Sequence, residues 1–531
     1  MAEDAAFGRV TTRSNDPGSN SPDTMAPLSP PNAAYKALVH HTRQTALLSS
    51  TLDLLGWDER TYMPPAGGPH RAEQSAFLAG LIHQRQTAPE VGAWLEELAE
   101  SDLAADPYSD AGCNIARLRH DFEKQSRLPQ RLVEELARAA SLGEQVWQEA
   151  RKSDDFSQFQ PLLERTIALK REQAQAYGYE DSPYDPLLDD FEPGETTANI
   201  TRVLAELRDR LAPLVAKIAE SPRAPKQGIL SREWPTAAQE RFGKMAAGEV
   251  GFDFSAGRLD TTAHPFCGGG GPRDVRLTTR YQAHDFADAF FSTLHEAGHG
   301  LYEQGLPAEH FGLPIGEALS LGIHESQSRM WENLVGRSSA FWRHMLPKLR
   351  AEFPQAAGDL SAEAFYFAVN ESRPSLIRTE SDEATYNLHI IVRFELEQAL
   401  LNGDLKGADL PEAWNQKYRD YLGVASPTDA DGCLQDVHWS AGLLGYFPTY
   451  TLGNLYACQF MEQARRDLGD LDAQFESGEF GPLLDWLRTN VHAHGRRYTA
   501  GELVERVSGG PLSCEPLMRH LETKFGALYG F

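Results

Sequence analysis

One ten-residue stretch, Phe291-Ser-Thr-Leu-His-Glu-Ala-Gly-His-Gly300, limits what this chain can fold into more than any other. It holds His295, Glu296 and His299 in the pattern H-E-x-x-H. On a helix, residues four apart share a face. Both imidazoles can therefore reach one Zn²⁺, while Glu296, one step round, holds a water. The flanking residues favour that helix. Asp285 is a candidate N-cap, and Phe286, Ala289, Phe290, Thr293, Leu294 and Ala297 recur at helical spacing. The competing reading is an ordinary helix with two surface histidines, so a third ligand is the deciding feature.

A histidine six residues after the second would indicate a metzincin, but that position is Gly305. A glutamate on a following helix is the other solution, and Glu303, Glu309, Glu317 and Glu325 are the candidates. Glu303 falls one turn after His299 on the same helix, where its side chain points away. Glu309 falls in a loop. Glu317 and Glu325 share the run Ile315–Leu334, which has helical spacing. Glu325 stands in His324-Glu-Ser-Gln327, polar residues within an otherwise apolar helix, and buried polar groups need a partner or a task. The residues favour Glu325 and leave Glu317 open.

Around this centre the chain reads as mainly helical. Residues 1–31 are rich in Ser, Pro, Asn and Asp without a helical period and are expected to be a disordered extension. No apolar signal core is present there, and acidic residues argue against a transit peptide. Amphipathic runs then cover Tyr35–Leu55, Arg71–Gln86, Val91–Glu100, Asn114–Gln125, Arg131–Arg151, Phe159–Tyr177 and Thr197–Ala219. The first of these is expected to end near Gly56-Trp57-Asp58. Asp274–Tyr281 alternates and is β-branched, which predicts a short strand just before the histidine helix. Gly268 to Gly271 is expected to be a mobile loop. It lacks the Lys-Ser/Thr of a phosphate loop.

Charge narrows the partners. Lys+Arg number 50 and Asp+Glu 76, a net charge of −26, which argues against nucleic acid or an anionic membrane as partner. No apolar run approaches the roughly 20 residues of a membrane span. Five scattered cysteines imply a reducing compartment, with neither a disulfide framework nor a cysteine zinc site.

The blocks, taken together, carry a resemblance. H-E-x-x-H followed by H-E-S-Q resembles the carboxypeptidase Taq family of metallocarboxypeptidases. Asp274-Val-Arg-Leu-Thr278, Arg373-Pro-Ser375, Ile377–Ile390 and Gly432-Cys-Leu-Gln-Asp-Val-His-Trp439 resemble that family's blocks in order. The matches run from about Tyr35 to Phe531. The resemblance implies Glu325 as third ligand beside His295 and His299. It implies one helical body, 32–531, as a catalytic domain of two helical halves flanking a deep groove, similar to neurolysin and angiotensin-converting enzyme, with a small β-sheet next to the histidine helix. It further implies a cytoplasmic homodimer that releases single amino acids from peptide C-termini, with Zn²⁺ as cofactor and Co²⁺ able to substitute.

Within those blocks the chemistry can be assigned. Glu296 is the expected base. His438 can donate to an oxyanion, as can Tyr446 or Tyr450. Gln435 and Asp436 belong to the substrate side, Asp436 also as an acceptor behind His438. A free substrate carboxylate calls for a guanidinium. Arg378 is the first choice, Arg373 the second and Arg276 the third. Glu380 or Asp382 can instead neutralise Arg378, Asp274 can tie up Arg276, and Arg373 can simply brace the turn at Pro374. Two other readings stay open: a dipeptidyl carboxypeptidase or endopeptidase in a similar groove, and a peptide-binding scaffold without turnover.

Overall fold

The computed structural model describes residues 30–531. The extension expected over 1–31 thus lies outside the described residues, except that Pro30 already opens a helix, Pro30–Thr61. That helix runs through Gly56 rather than ending there. An interior glycine costs only about 1 kcal/mol. Trp57 is buried beneath the guanidinium groups of Arg276 and Arg258, at 4.3 and 5.1 Å, and holds the last turn in place. The six amphipathic runs that follow form helices Gly68–Gln86, Pro89–Ala99, Asp110–Ser126, Gln130–Ser153, Phe156–Tyr177 and Thr197–Glu220. Ser109, Asp155 and Thr196 cap three of them by accepting a backbone N–H.

Two cores result. Ala34, Leu38, Val91, Leu95, Leu98 and Ile115 close a small one within the first helices. The large core begins at Ala150 and runs to Tyr529. Ion pairs tie the first helices to the C-terminal part, Arg496 to Asp121 at 2.9 Å and Arg497 to Asp110 at 2.6 Å. Between them lies a cleft of about 1120 Å³, lined by helix Pro30–Thr61, by residues around 266–274 and by Glu303 and His324.

Three strands stand beside that cleft: β1 (Gly257–Thr261), β2 (Cys267–Gly271) and β3 (Asp274–Thr279). Their order is β1-β3-β2, with β3 parallel to β1 and antiparallel to β2. The glycine run is therefore a strand and not the mobile loop its composition suggests. Close packing explains it. A Cβ on Gly269 would stand 2.1 Å from the Asp274 carbonyl, and one on Gly270 would stand 2.9 Å from the Leu54 side chain, so the missing side chains let β3 and the first helix lie close on this strand. β3 then leads into the histidine helix, Phe286–Gly305, and Thr279 Oγ1 and Ser292 Oγ lie 2.8 Å apart between them. No helix among the described residues is long and apolar enough to cross a membrane.

Candidate metal centre

The histidine helix forms for the reasons its sequence suggests. Asp285 caps it by accepting from Asp288 N, and Phe286, Ala289, Phe290, Thr293, Leu294 and Ala297 are all buried. That burial fixes the rotation of the helix and turns His295 and His299 to the same side. The glutamate helix, Leu321–Arg329, crosses it. Contact is close: a Cβ on Gly298 would meet Gln327 O at 2.5 Å. On its other side a Cβ on Gly453, in the central helix Pro448–Leu468, would meet Glu325 Cγ at 2.4 Å. Two small residues thus clamp the glutamate helix and leave Glu325 little axial freedom.

The three side chains meet as a ligand set. Glu325 Oε2 lies 3.5 Å from His295 Nε2 and 3.5 Å from His299 Nε2, and one ligand atom from each falls within 4.8 Å of the others. Tetrahedral ligands about 2.0–2.2 Å from a divalent ion stand roughly 3.3–3.6 Å apart, so the spacing fits. The opposite atoms of each ligand are already engaged. His295 Nδ1 is 2.9 Å from Glu332 Oε2. His299 Nδ1 is 2.5 Å from His324 Nδ1, and His324 Nε2 is 2.8 Å from Glu303 Oε1. Glu325 Oε1 accepts from Arg329 Nε at 2.7 Å. Both Nε2 atoms are thereby left facing Glu325, the arrangement outer hydrogen bonds give to metal-bound imidazoles.

Charge supports these states for His299 and Glu325, whereas for His295 burial is outweighed by Glu325 and Glu332, which raise it towards the protonated form in the absence of an ion. Burial lowers His299 to about 3, so it is a neutral imidazole with a free lone pair. Burial would raise Glu325, but Arg329 and His295 outweigh it and hold the carboxylate well below its usual range. Glu296 is buried on the same helix, and burial, with Glu325 adding to it, pushes its carboxyl up to about 7. A carboxyl near neutrality can take and return a proton.

A second wall faces this set. Arg378 Nε donates to Asp436 Oδ1 at 2.9 Å and Arg393 Nε to Asp436 Oδ2 at 2.6 Å, all buried. His438 Nδ1 lies 3.9 Å from Asp436 Oδ1, and its Nε2 is 3.3 Å from Tyr450 Oη. Burial above all lowers His438 to about 4, so it is neutral. The Tyr446 ring stands 5.3 Å from that imidazole. Burial raises the phenols of Tyr446 and Tyr450, with the charge of Glu325 adding to it, so both remain protonated donors. Tyr386 bridges the walls: Arg329 lies over its ring at 4.5 Å, and Arg378 Nη1 donates to its hydroxyl at 3.2 Å.

The other expected residues fall as follows. Glu317 precedes the glutamate helix in extended backbone and pairs with Arg496 at 3.3 Å, away from the ligand set. Arg378 pairs with Asp436, which it shares with Arg393, and not with Glu380 or Asp382. Asp382 instead accepts from Ser372, Thr385 and the Arg373 backbone N–H. Arg276 is committed to Asp274 through two hydrogen bonds of 2.8 and 2.9 Å. Arg373 has an exposed side chain. Gln435 accepts from Arg378 N and Arg393 Nη2 and so braces the arginine cluster. Sequence reasoning assigns no role to Arg329 or Glu332, and it places His324 in the H-E-S-Q block without one. Arg329 can be found as an i, i+4 partner of Glu325. Glu332 lies in the π-helical turn Met330–Val335, whose wider winding no periodicity template anticipates.

The chain matches known proteins along nearly its whole length. The family model described as "Carboxypeptidase Taq (M32) metallopeptidase" matches residues 37–525. Thermostable carboxypeptidase 1 of Thermus thermophilus is 51% identical over 509 residues, covering 94% of this chain and 100% of that one. Carboxypeptidase 1 of Bacillus subtilis is 39% identical over 483 residues, 91% of this chain and 96% of its own. The crystal structure of the M32 carboxypeptidase from Deinococcus radiodurans superposes with a TM-score of 0.91 at 41% identity, covering 94% of this chain and 100% of that one.

Proposed function

The chain belongs to the carboxypeptidase Taq (M32) family and is a metallocarboxypeptidase, and from that premise we propose how its own residues divide the work. His295, His299 and Glu325 hold one divalent ion, Zn²⁺ by the chemistry of two imidazoles and one carboxylate, with Co²⁺ able to substitute. When bound, that ion supplies a Lewis acid beside the scissile carbonyl and makes water more acidic there. Glu296 takes the proton of the attacking water and delivers it to the leaving nitrogen. His438 and Tyr446 donate hydrogen bonds to the developing oxyanion.

The free carboxylate of the peptide is drawn to the second wall. Two guanidiniums there share one carboxylate, so the cluster Arg378–Asp436–Arg393 keeps a surplus positive charge. Arg378 is the first choice to meet the substrate, with Asp436 and Gln435 holding it in place, and Arg373 is the second. Arg276 is the third choice, because it stands on β3 outside this cluster and its pairing with Asp274 leaves no shared surplus charge there. Residues 32–531 act as one catalytic domain whose groove resembles that of neurolysin and angiotensin-converting enzyme. A cytoplasmic homodimer completes the reading. It is supported by the family resemblance and, for the compartment, by five free cysteines.

The observation that carries this reading is the three-atom ligand set with its outer hydrogen bonds already made. Its test is Glu296→Gln. The variant should bind Zn²⁺ as tightly as the wild type and lose at least about 10²–10⁴ in turnover, the contribution of a positioned base. Near-normal turnover would remove Glu296 from the mechanism.

A further inference from the structure

Two carboxylates with no place in the chemistry above lie wholly inside the protein, Glu192 and Glu397, each 0% exposed. Hydrogen-bond donors hold both, in the same pattern. Glu192 accepts from Tyr456 Oη at 3.0 Å, Ser320 Oγ at 2.9 Å and Gly322 N at 2.9 Å. Glu397 accepts from Tyr184 Oη at 2.6 Å, Trp439 Nε1 at 2.8 Å and Gly445 N at 3.2 Å. Burial pushes both carboxyls up to about 7 against those donors. A buried polar network of this kind costs stability unless every member is satisfied, and a satisfied one fixes a unique geometry.

What each fixes is a different part of the site. Ser320 is the N-cap of the glutamate helix and accepts from Ile323 N, while Gly322 lies in its first turn. Glu192 therefore sits on the N-terminus of that helix, where negative charge is favoured. Glu325 follows Gly322 by three residues. Glu397, in helix Tyr386–Asn402, grips the loop between Gly432 and Phe447 at two points. Trp439 adjoins His438, and Gly445 adjoins Tyr446. One short segment connects the two anchors. Tyr184 donates to Glu397, the Phe191 ring lies 5.1 Å from Tyr446, and Phe191 O accepts from Leu321 N. At Gly445, with φ +92°, a Cβ would stand 2.7 Å from the Leu187 backbone, so loop and segment touch directly.

We propose that Glu192 and Glu397 are positioning residues that divide the site between them. Glu192 sets the axial position of the glutamate helix, and so the third metal ligand. Glu397 sets the loop that presents His438 and Tyr446. The Glu397 half rests on the oxyanion reading of that loop, whereas the Glu192 half rests only on the metal ligands.

The test uses the full chain loaded with Zn²⁺. It follows metal release into a chelator, kcat, KM and thermal unfolding for Glu192→Gln and Glu397→Gln. Glu192→Gln should speed Zn²⁺ release about 10-fold or more, the scale of lost outer-shell support. Glu397→Gln should release Zn²⁺ at the wild-type rate and lower kcat by roughly 10–10²-fold with little change in KM, as small misplacements do. Tyr456→Phe and Tyr184→Phe each remove one donor without changing shape, and should give the same split at smaller size even where a glutamine variant fails to fold. Equal loss of thermal stability in both, with release and kcat unchanged, would reduce the two to core structure and overturn the proposal. His438→Phe separates the two layers of argument. If it slows turnover and Glu397→Gln does not, positioning fails. If His438→Phe has no effect, the oxyanion reading itself has failed, and the Glu397 half with it.

Discussion

The wall that binds metal and the wall that faces it draw on the chain at different ranges. His295 and His299 lie one helical turn apart, and even the outer partner Glu332 is 37 residues from His295. On the facing wall Arg378 meets Asp436 across 58 residues and Arg393 meets it across 43. The first geometry follows from helix periodicity plus two tight helix crossings at Gly298 and Gly453. The second exists only once the whole domain has folded. Local spacing therefore sets the histidine pair, whereas long-range packing places the glutamate that completes it and builds the whole facing wall. The two walls should respond differently to mutation.

The largest effect tests the metal wall. Glu325→Ala should abolish stoichiometric Zn²⁺ and turnover together, while Glu317→Ala should keep both, because Glu317 faces Arg496. Metal analysis of the purified variants decides this, and metal loss in Glu317→Ala alone would reassign the third ligand. A smaller effect belongs to the facing wall. His438→Phe should keep the metal and reduce kcat by roughly 10²–10³, the value of one oxyanion donor. An increase in KM alone would make His438 a substrate-holding residue instead. The smallest effect tests how far metal-wall support extends. Glu332→Ala removes the acceptor at His295 Nδ1, and should weaken Zn²⁺ binding about 10–100-fold in a chelator titration. An unchanged affinity would confine that wall to its three ligands.

What is legible in the sequence follows the same division. The histidine helix, its cap at Asp285 and the buried face from Phe286 to Ala297 are readable, because each depends on near neighbours. The helices before Pro222 are readable for that reason too, though the first runs past Gly56. The glycine run Gly268–Gly271 reads wrongly as a loop, since composition carries no record of the helix that packs on it at Leu54. Local sequence pairs Arg378 with a near acidic residue, Glu380 or Asp382. Its partner is Asp436, which no local window contains. The residues alone favour Glu325 over Glu317 without excluding the latter; the crossing of the glutamate helix over Gly298 brings Glu325 to the imidazoles and leaves Glu317 outside.

The central claim is that this groove removes single residues from a free peptide C-terminus. One defined peptide, prepared with a free carboxylate and with a C-terminal amide, tests it by product masses over time. The free-acid form should yield successive losses of one residue from its C-terminus, and the amide should be a poor substrate, because it lacks the charge a guanidinium binds. Cleavage of both forms at equal rates, or products two residues shorter or cut internally, would contradict the account.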